Sequence, residues 1–239
     1  MERLLFRTYH LHGNVPRWSC TRKDCKDGRL VLVDKSLRYE SCYDAEQRQT
    51  PDHYDPRDDF GRYSMVLRCA SCNDKIIVTG IHGTEEWETP FGEDFVELLY
   101  PKFFLPAVPI INIPDACPSS IRYALYQAFS AYWSSPKNSA NSIRIALEHL
   151  MDEQQIPPNN LHQRIEAFGK IRPDIHDFLE AAKWVGNDGS HKGEVEHSLV
   201  LDVLEMVEHA LEVLYPKDVS ALRKKAQAIR ESKKKKVSI

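Results

Sequence analysis

Four cysteines carry the clearest chemical pattern in the chain: Cys20-x4-Cys25, then 43 intervening residues, then Cys69-x2-Cys72. A thiolate is a soft, charged ligand, and two tight loops that each present a pair supply the closed tetrahedral set that structural Zn²⁺ takes. Four sulfur ligands leave no open position for a substrate, so the expected ion is structural rather than catalytic. In a small β unit with little core of its own, binding that ion becomes folding free energy. The plainer reading is four unrelated buried cysteines, and the paired spacing favours the ligand reading over it. Cys42 and Cys117 have no partner at ligand spacing and are expected to stay outside the site.

A second pattern is the stretch Trp184-Val185-Gly186-Asn187-Asp188-Gly189-Ser190-His191, which lies between two helix-periodic segments. Its glycines, with Asn187 and Asp188, predict a turn that breaks the helix. His191 then either packs between helices or acts as a general acid or base. Arg144 and Glu148 are four apart, so an intrahelical ion pair is the default. Set beside His191, Glu148 would instead orient the imidazole while Arg144 binds phosphate. Trp184 reads as core or, alternatively, as a surface on which a nucleobase stacks.

Arg144-Ile145-Ala146-Leu147-Glu148 together with Gly186-Asn187-x3-His191 resembles the signature of an uncharacterised prokaryotic HEPN-related family, over roughly residues 115–215. The resemblance implies a helical domain that pairs as a two-fold homodimer and brings two histidine loops together. It also implies an N-terminal cysteine knuckle and an association with restriction and phage-defence genes; some relatives are metal-independent endoribonucleases. Cleaving RNA without a metal needs proton transfer at the 2′-hydroxyl and leaving oxygen, with positive charge near the phosphate. Active relatives supply both with an arginine, a polar residue, a few spacers and a histidine. Here His191 and Asn187 stand at the histidine and polar positions, but Gly186 stands at the arginine position. The phosphate clamp must then come from Arg144, Lys183 or Lys192, or the activity is absent.

These residues need elements to position them. Residues 1–82 hold five of the six cysteines and short β-type runs, Leu30–Val33, Ser64–Leu67 and Lys75–Thr79, which predict a small antiparallel zinc ribbon. Between Gly83 and Pro118 six prolines, Pro90, Pro101, Pro106, Pro109, Pro114 and Pro118, predict an extended connector (83–117) without long regular elements. Its aromatic and aliphatic residues are expected to pack it on the following domain. From 118 to 216 the period becomes helical. Stripes such as Ile121, Ala124, Leu125, Ala128, Phe129 and Tyr132, or Ile143, Ala146, Leu147, Leu150 and Met151, predict a bundle of four or five helices. The fold class expected is therefore α+β, a zinc ribbon followed by an all-α, HEPN-like bundle, with residues 217–239 a basic C-terminal helix or tail.

The formal net charge of −3 hides a division: residues 221–239 hold eight Lys/Arg against one acid, so the remainder is at −10. An acidic body argues against broad attraction to phosphate backbones, whereas the tail offers a local one. Arg223, Lys224, Lys225 and Arg230, with Lys183 and Lys192, are the candidate nucleic-acid contacts; the plainer reading of the tail is a solvated, fraying helix. No run reaches the roughly 20 apolar residues of a membrane span, and the start lacks a signal peptide's apolar core, so a cytoplasmic protein without membrane contact is expected. No phosphate loop, dinucleotide fingerprint or nucleophile elbow occurs, and the spacing of Asp52, Asp55, Asp58 and Asp59 matches no calcium loop.

Two functions remain. The first is a non-catalytic or weakly catalytic interaction module, a dimer that binds nucleic acid or a partner protein within a prokaryotic defence or toxin-type system. The second is a metal-independent endoribonuclease that uses His191. Gly186 at the arginine position favours the first.

Overall fold

Strict alternation builds the sheet. In Gly61–Cys69 (β4) Tyr63, Met65, Leu67 and Cys69 point inward, and Arg62 and Ser64 point out, as the two-residue period of a strand requires. The same alternation continues in Lys75–Thr89 (β5), with Ile76 and Val78 buried and Ile77 and Ile81 exposed. These strands sit in a computed structural model that describes residues 3–7, 9–11, 14–49, 54–89, 92–191 and 195–237. With His10–Leu11 (β1), Leu30–Leu32 (β2), Arg38–Ser41 (β3) and Gly92–Leu105 (β6) they form a six-stranded antiparallel sheet. Its order is β1-β6-β5-β4-β2, and β3 pairs with the first half of β4 while β2 pairs with the second.

The connector expected between residues 83 and 117 is largely strand. β5 crosses the expected boundary at residue 82, and β6 pairs with it from Gly92 to Leu105. Pro101 is tolerated because it sits beside a bulge: Thr79 pairs with Phe103 and Gly80 with Pro101, which leaves Lys102 as the extra residue. Pro106 follows the last residue of β6. Only residues 106–118 form a true connector, and Val108, Ile110, Ile111 and Ile113 bury it.

The helices follow their stripes. After the short Tyr43–Arg48 (α1) come Ser119–Tyr132 (α2), Pro136–Glu153 (α3), Leu161–Gly169 (α4), His176–His191 (α5), His197–Leu214 (α6) and Ser220–Val237 (α7). The architecture is mixed α+β, with seven helices among the described residues. Ser135 caps α3 by accepting from the Asn138 N–H, with Pro136 in the first turn. Asn160 caps α4 in the same way through Gln163. No helix among the described residues is long and apolar enough to cross a membrane.

One continuous hydrophobic cluster runs through sheet and helices. Aromatic rings form the seam: Trp18 meets Phe104 at 5.0 Å and Trp133 at 6.0 Å edge-on, and Phe104 meets Trp133 at 4.7 Å. Such contacts add about 0.5–1.5 kcal/mol each beyond area burial. Two hydrogen bonds lock the N-terminal turn into the same seam, Trp18 Nε1 to the Leu5 carbonyl at 2.6 Å and the Tyr132 hydroxyl to the Phe6 carbonyl at 2.8 Å.

Candidate metal centre and the face of helix α5

The two cysteine pairs converge. Cys69 ends β4 and Cys72 follows in a tight turn, closed by Cys69 N–H to Asp74 O at 2.8 Å and Asn73 N–H to Cys69 O at 3.0 Å. Asn73 takes the left-handed conformation (φ 64°) that an asparagine tolerates. The other knuckle is closed by Cys20 N–H to Gly28 O, Cys25 N–H to Arg22 O and Gly28 N–H to Cys25 O, and runs antiparallel into β2. The four sulfurs all lie within 4.8 Å of one another. Cys20 Sγ and Cys72 Sγ are 3.6 Å apart, and Cys25 Sγ and Cys69 Sγ 3.7 Å. A tetrahedron with metal–sulfur bonds of about 2.3 Å has edges of about 3.8 Å, so the arrangement can hold a metal ion without rebuilding.

The surroundings divide the sulfurs: burial holds the Cys20 and Cys25 thiols above their ordinary value, and Cys69 alone is brought below it. Desolvation pushes the Cys20 thiol up to about 12. It pushes Cys69 the same way, but the backbone N–H groups of Cys72 and Ser71 aim at that sulfur and bring it down to about 6. Gly28 lines the site for a steric reason: a Cβ there would stand 2.5 Å from Cys25 Sγ and 2.6 Å from Cys69 Sγ. Cys42 and Cys117 lie outside the quartet, and burial pushes the Cys117 thiol up to about 11.

The expected break at 186–189 does not occur, since α5 runs unbroken to His191. Gly186 serves packing instead of turning: a Cβ would lie 2.8 Å from Arg144 Cβ and 3.3 Å from the Ala140 carbonyl, so α5 approaches α3 there as only glycine permits. The sequence places Pro173 as a first-turn residue of this helix, but α5 starts at His176 and Pro173 lies in the turn ahead of it. Arg144 and Glu148 form the default intrahelical ion pair at 2.8 Å, both half-buried. The side chains of Asn187 and His191, and Lys192 entirely, lie outside the described residues. By helical spacing, positions 183, 187 and 191 follow one stripe of α5.

Lys183 is not the surface cation expected from the sequence. It is 2% exposed, its ammonium donates to His162 Nδ1 at 2.8 Å, and Glu180 Oε1 lies 3.5 Å away. Its charge also stands 4.6 Å over the ring of Trp184, which is 55% exposed rather than core. Sequence reasoning missed the group around it. His162, Glu166 and Glu180 bring side-chain ligand atoms within 4.8 Å of one another, and His176 Nε2 lies 3.2 Å from Glu166 Oε1. The His176 imidazole is held above its ordinary range, first by Asp177 and then, against desolvation, by Glu166. The signal was present as His162/Glu166 and His176/Glu180 at i,i+4 and Glu180/Lys183 at i,i+3. Arg223, Lys224, Lys225 and Arg230 lie on α7, exposed throughout, and the helix starts at a cap in which Ser220 donates to Asp218.

Sheet, quartet and bundle together define an α+β protein with one four-cysteine cluster able to bind a metal. Two family models match its two parts. Residues 8–106 match a domain of unknown function (DUF8608), and residues 126–232 match a second domain of unknown function (DUF4145). The first match contains all four cysteines; the second contains α3 to α6 and most of α7, so the basic helix belongs to the matched helical unit. No curated protein matches the chain, and no solved structure matches it.

Proposed function

We propose that this protein is a cytoplasmic, zinc-organised interaction module that binds nucleic acid, a component of a prokaryotic defence or toxin-type system built from a zinc ribbon and a HEPN-like bundle. The zinc ion, held by Cys20, Cys25, Cys69 and Cys72, is structural: it fixes the two knuckles against the seam and offers no open coordination position. One observation carries the binding role. Helix α7 is basic and exposed from Arg223 to Arg230, with a net charge of +7 over residues 221–239 against −10 for the rest. A helix of that composition has too little apolar surface to be held by packing, and its charge suits a phosphate backbone. Self-association is supported by the outer sheet face, where Ile77, Ile81, Phe103 and Leu105 remain exposed. Light scattering tests it, and a monomer at micromolar concentration would remove any site composed across two subunits.

The experiment is fluorescence anisotropy of the zinc-loaded chain with labelled single-stranded RNA across a salt series, compared with a variant in which Arg223, Lys224, Lys225 and Arg230 are all glutamine. Four single-strand phosphate contacts correspond to a log–log salt slope of about −3. The variant is expected to bind at least tenfold more weakly with a shallower slope. Equal affinity and slope for the two proteins would overturn the reading.

A metal-independent endoribonuclease using His191 is the second reading, and the contact between Arg144 and Gly186 favours it. The stem of Arg144 occupies the space beside Gly186, where the family's arginine would stand. Cleavage of the same RNA in chelator, abolished by His191→Ala, is the outcome this reading requires.

A further inference from the structure

Between the first cysteine knuckle and the helices lies a cleft of about 480 Å³, within the range of small-molecule sites. The knuckle, the connector around Ile110–Asp115, and Tyr126 and Glu208 from α2 and α6 form its walls. Five lysines and arginines line it against two acids, on a body that is strongly acidic elsewhere. A cationic concavity on an anionic protein focuses potential on one place.

Two of those cations are internally neutralised: Arg22 by Asp24 at 2.9 Å and Lys26 by Asp115. The other three form no ion pair at contact distance among the described residues, although the Asp115 carboxylate, bound to Lys26, also acts on Lys23 and Arg122 through space. Arg29 donates to the Ser19 hydroxyl at 3.2 Å. Arg122 is anchored through one nitrogen to the carbonyls of Pro114, Asp115 and Cys117, at 2.8, 3.4 and 3.5 Å. Neutral oxygens fix that guanidinium in place without cancelling its charge, which is the preorganisation an anion site needs. Apolar and aromatic surface completes the cleft. Ile110 and Ile111 are buried beneath it, and the Tyr126 ring is braced edge-on by Phe129 at 5.4 Å. Asn112, exposed at the cleft, keeps its side-chain amide available while its backbone N–H donates to Glu208 at 2.6 Å.

We propose that this cleft binds a nucleoside phosphate, the phosphate held by Lys23, Arg29 and Arg122 and the base lying on Tyr126 with its edge read by Asn112. The site belongs to neither matched unit alone, since Arg29 falls in the first, Tyr126 in the second, and Asn112 and Arg122 in the stretch between them. The proposal rests on the nucleic-acid reading and adds to helix α7 a second contact surface, one that takes a single nucleotide. The ligand is either a free nucleotide or one nucleotide of a strand, and the two sources are separable.

The test is calorimetric titration of the zinc-loaded full chain with adenosine 5′-monophosphate, with adenosine, and with a ten-nucleotide oligoadenylate. Wild type is compared with Arg122→Gln and with the double variant Lys23→Gln/Arg29→Gln, which leaves the Arg122 anchor intact should its loss disturb folding. The expected result is saturable binding of the monophosphate, at least tenfold weaker adenosine binding, and at least a tenfold loss in the double variant. Strand binding that the double variant weakens tenfold, without monophosphate binding, supports the cleft as the seat of a strand nucleotide. Strand binding that depends on the α7 cations and is unchanged in the double variant overturns the cleft and leaves the nucleic-acid reading standing. Absence of binding by all three ligands overturns both.

Discussion

Replacing Gly28 by alanine places a methyl group 2.5 Å from Cys25 Sγ and 2.6 Å from Cys69 Sγ. Carbon in ordinary contact needs about 3.5–4.0 Å, so both sulfurs must retreat by about 1 Å. Metal–ligand distances tolerate about 0.2 Å, so the quartet cannot keep four bonds of normal length. Structural zinc contributes roughly 10–16 kcal/mol over four ligands, and at an even share the loss of one is about 3 kcal/mol, or about a hundredfold in affinity. Gly83→Ala is the internal control, because a Cβ there meets nothing closer than Phe60 Cβ at 3.8 Å. Zinc affinity is read by competition against a chromophoric chelator, with metal content by mass spectrometry. The expected outcome is a hundredfold loss for Gly28→Ala and no change for Gly83→Ala. A Gly28→Ala protein that holds one equivalent of zinc within threefold of wild-type affinity would refute the argument that these thiols surround a bound ion.

Other expectations follow from single contacts. His10 is buried beside Trp18, and desolvation, with the charge of Arg7, lowers its imidazole to about 4. Its ordinary value in the unfolded chain is about 6.5, so the unfolded state binds more protons between these values. The stability it contributes is therefore complete above pH 6.5 and lost as pH falls toward 4, by up to about 3 kcal/mol. His10→Phe should flatten that part of the urea-midpoint profile relative to wild type, and an unchanged slope would contradict it. Gly186→Ala gains about 1 kcal/mol of helix propensity but drives a Cβ to 2.8 Å from Arg144 Cβ, so a net loss of about 1–2 kcal/mol is expected in urea unfolding. Lys183→Met should leave RNA affinity within twofold of wild type, because the buried ammonium already serves His162 and Glu180; a tenfold loss with normal folding would return Lys183 to the nucleic-acid surface.

The cysteine quartet was legible because its ligands come in pairs a few residues apart, so spacing alone encodes a loop. The helices were legible for a similar reason, since Ile121 to Tyr132 repeat on one face regardless of what that face meets. What escaped depends on partners distant in sequence. Pro101 reads as a breaker until Gly80 and the extra Lys102 show that it borders a bulge. Gly186 and Gly189 read as a turn until Ala140 and Arg144 show how close a neighbouring helix comes. Lys183 looks solvated because nothing nearby in sequence announces His162, 21 residues earlier. The cleft draws on residues from Leu5 to Glu208, and no local pattern joins them.

The aromatic seam has an optical consequence. The four tryptophans divide evenly: Trp18 and Trp133 are enclosed at the junction of sheet and helices, while Trp87 and Trp184 are about half exposed. Intrinsic fluorescence therefore contains one population sheltered from acrylamide and one open to it. Trp18 precedes the first thiol by two residues, whereas Trp133 closes helix α2. Loosening the knuckle by chelation unshields the first indole ahead of the second, and parting of sheet from bundle unshields both together, so quenching of single-tryptophan variants tells a local opening from a global one without any added label.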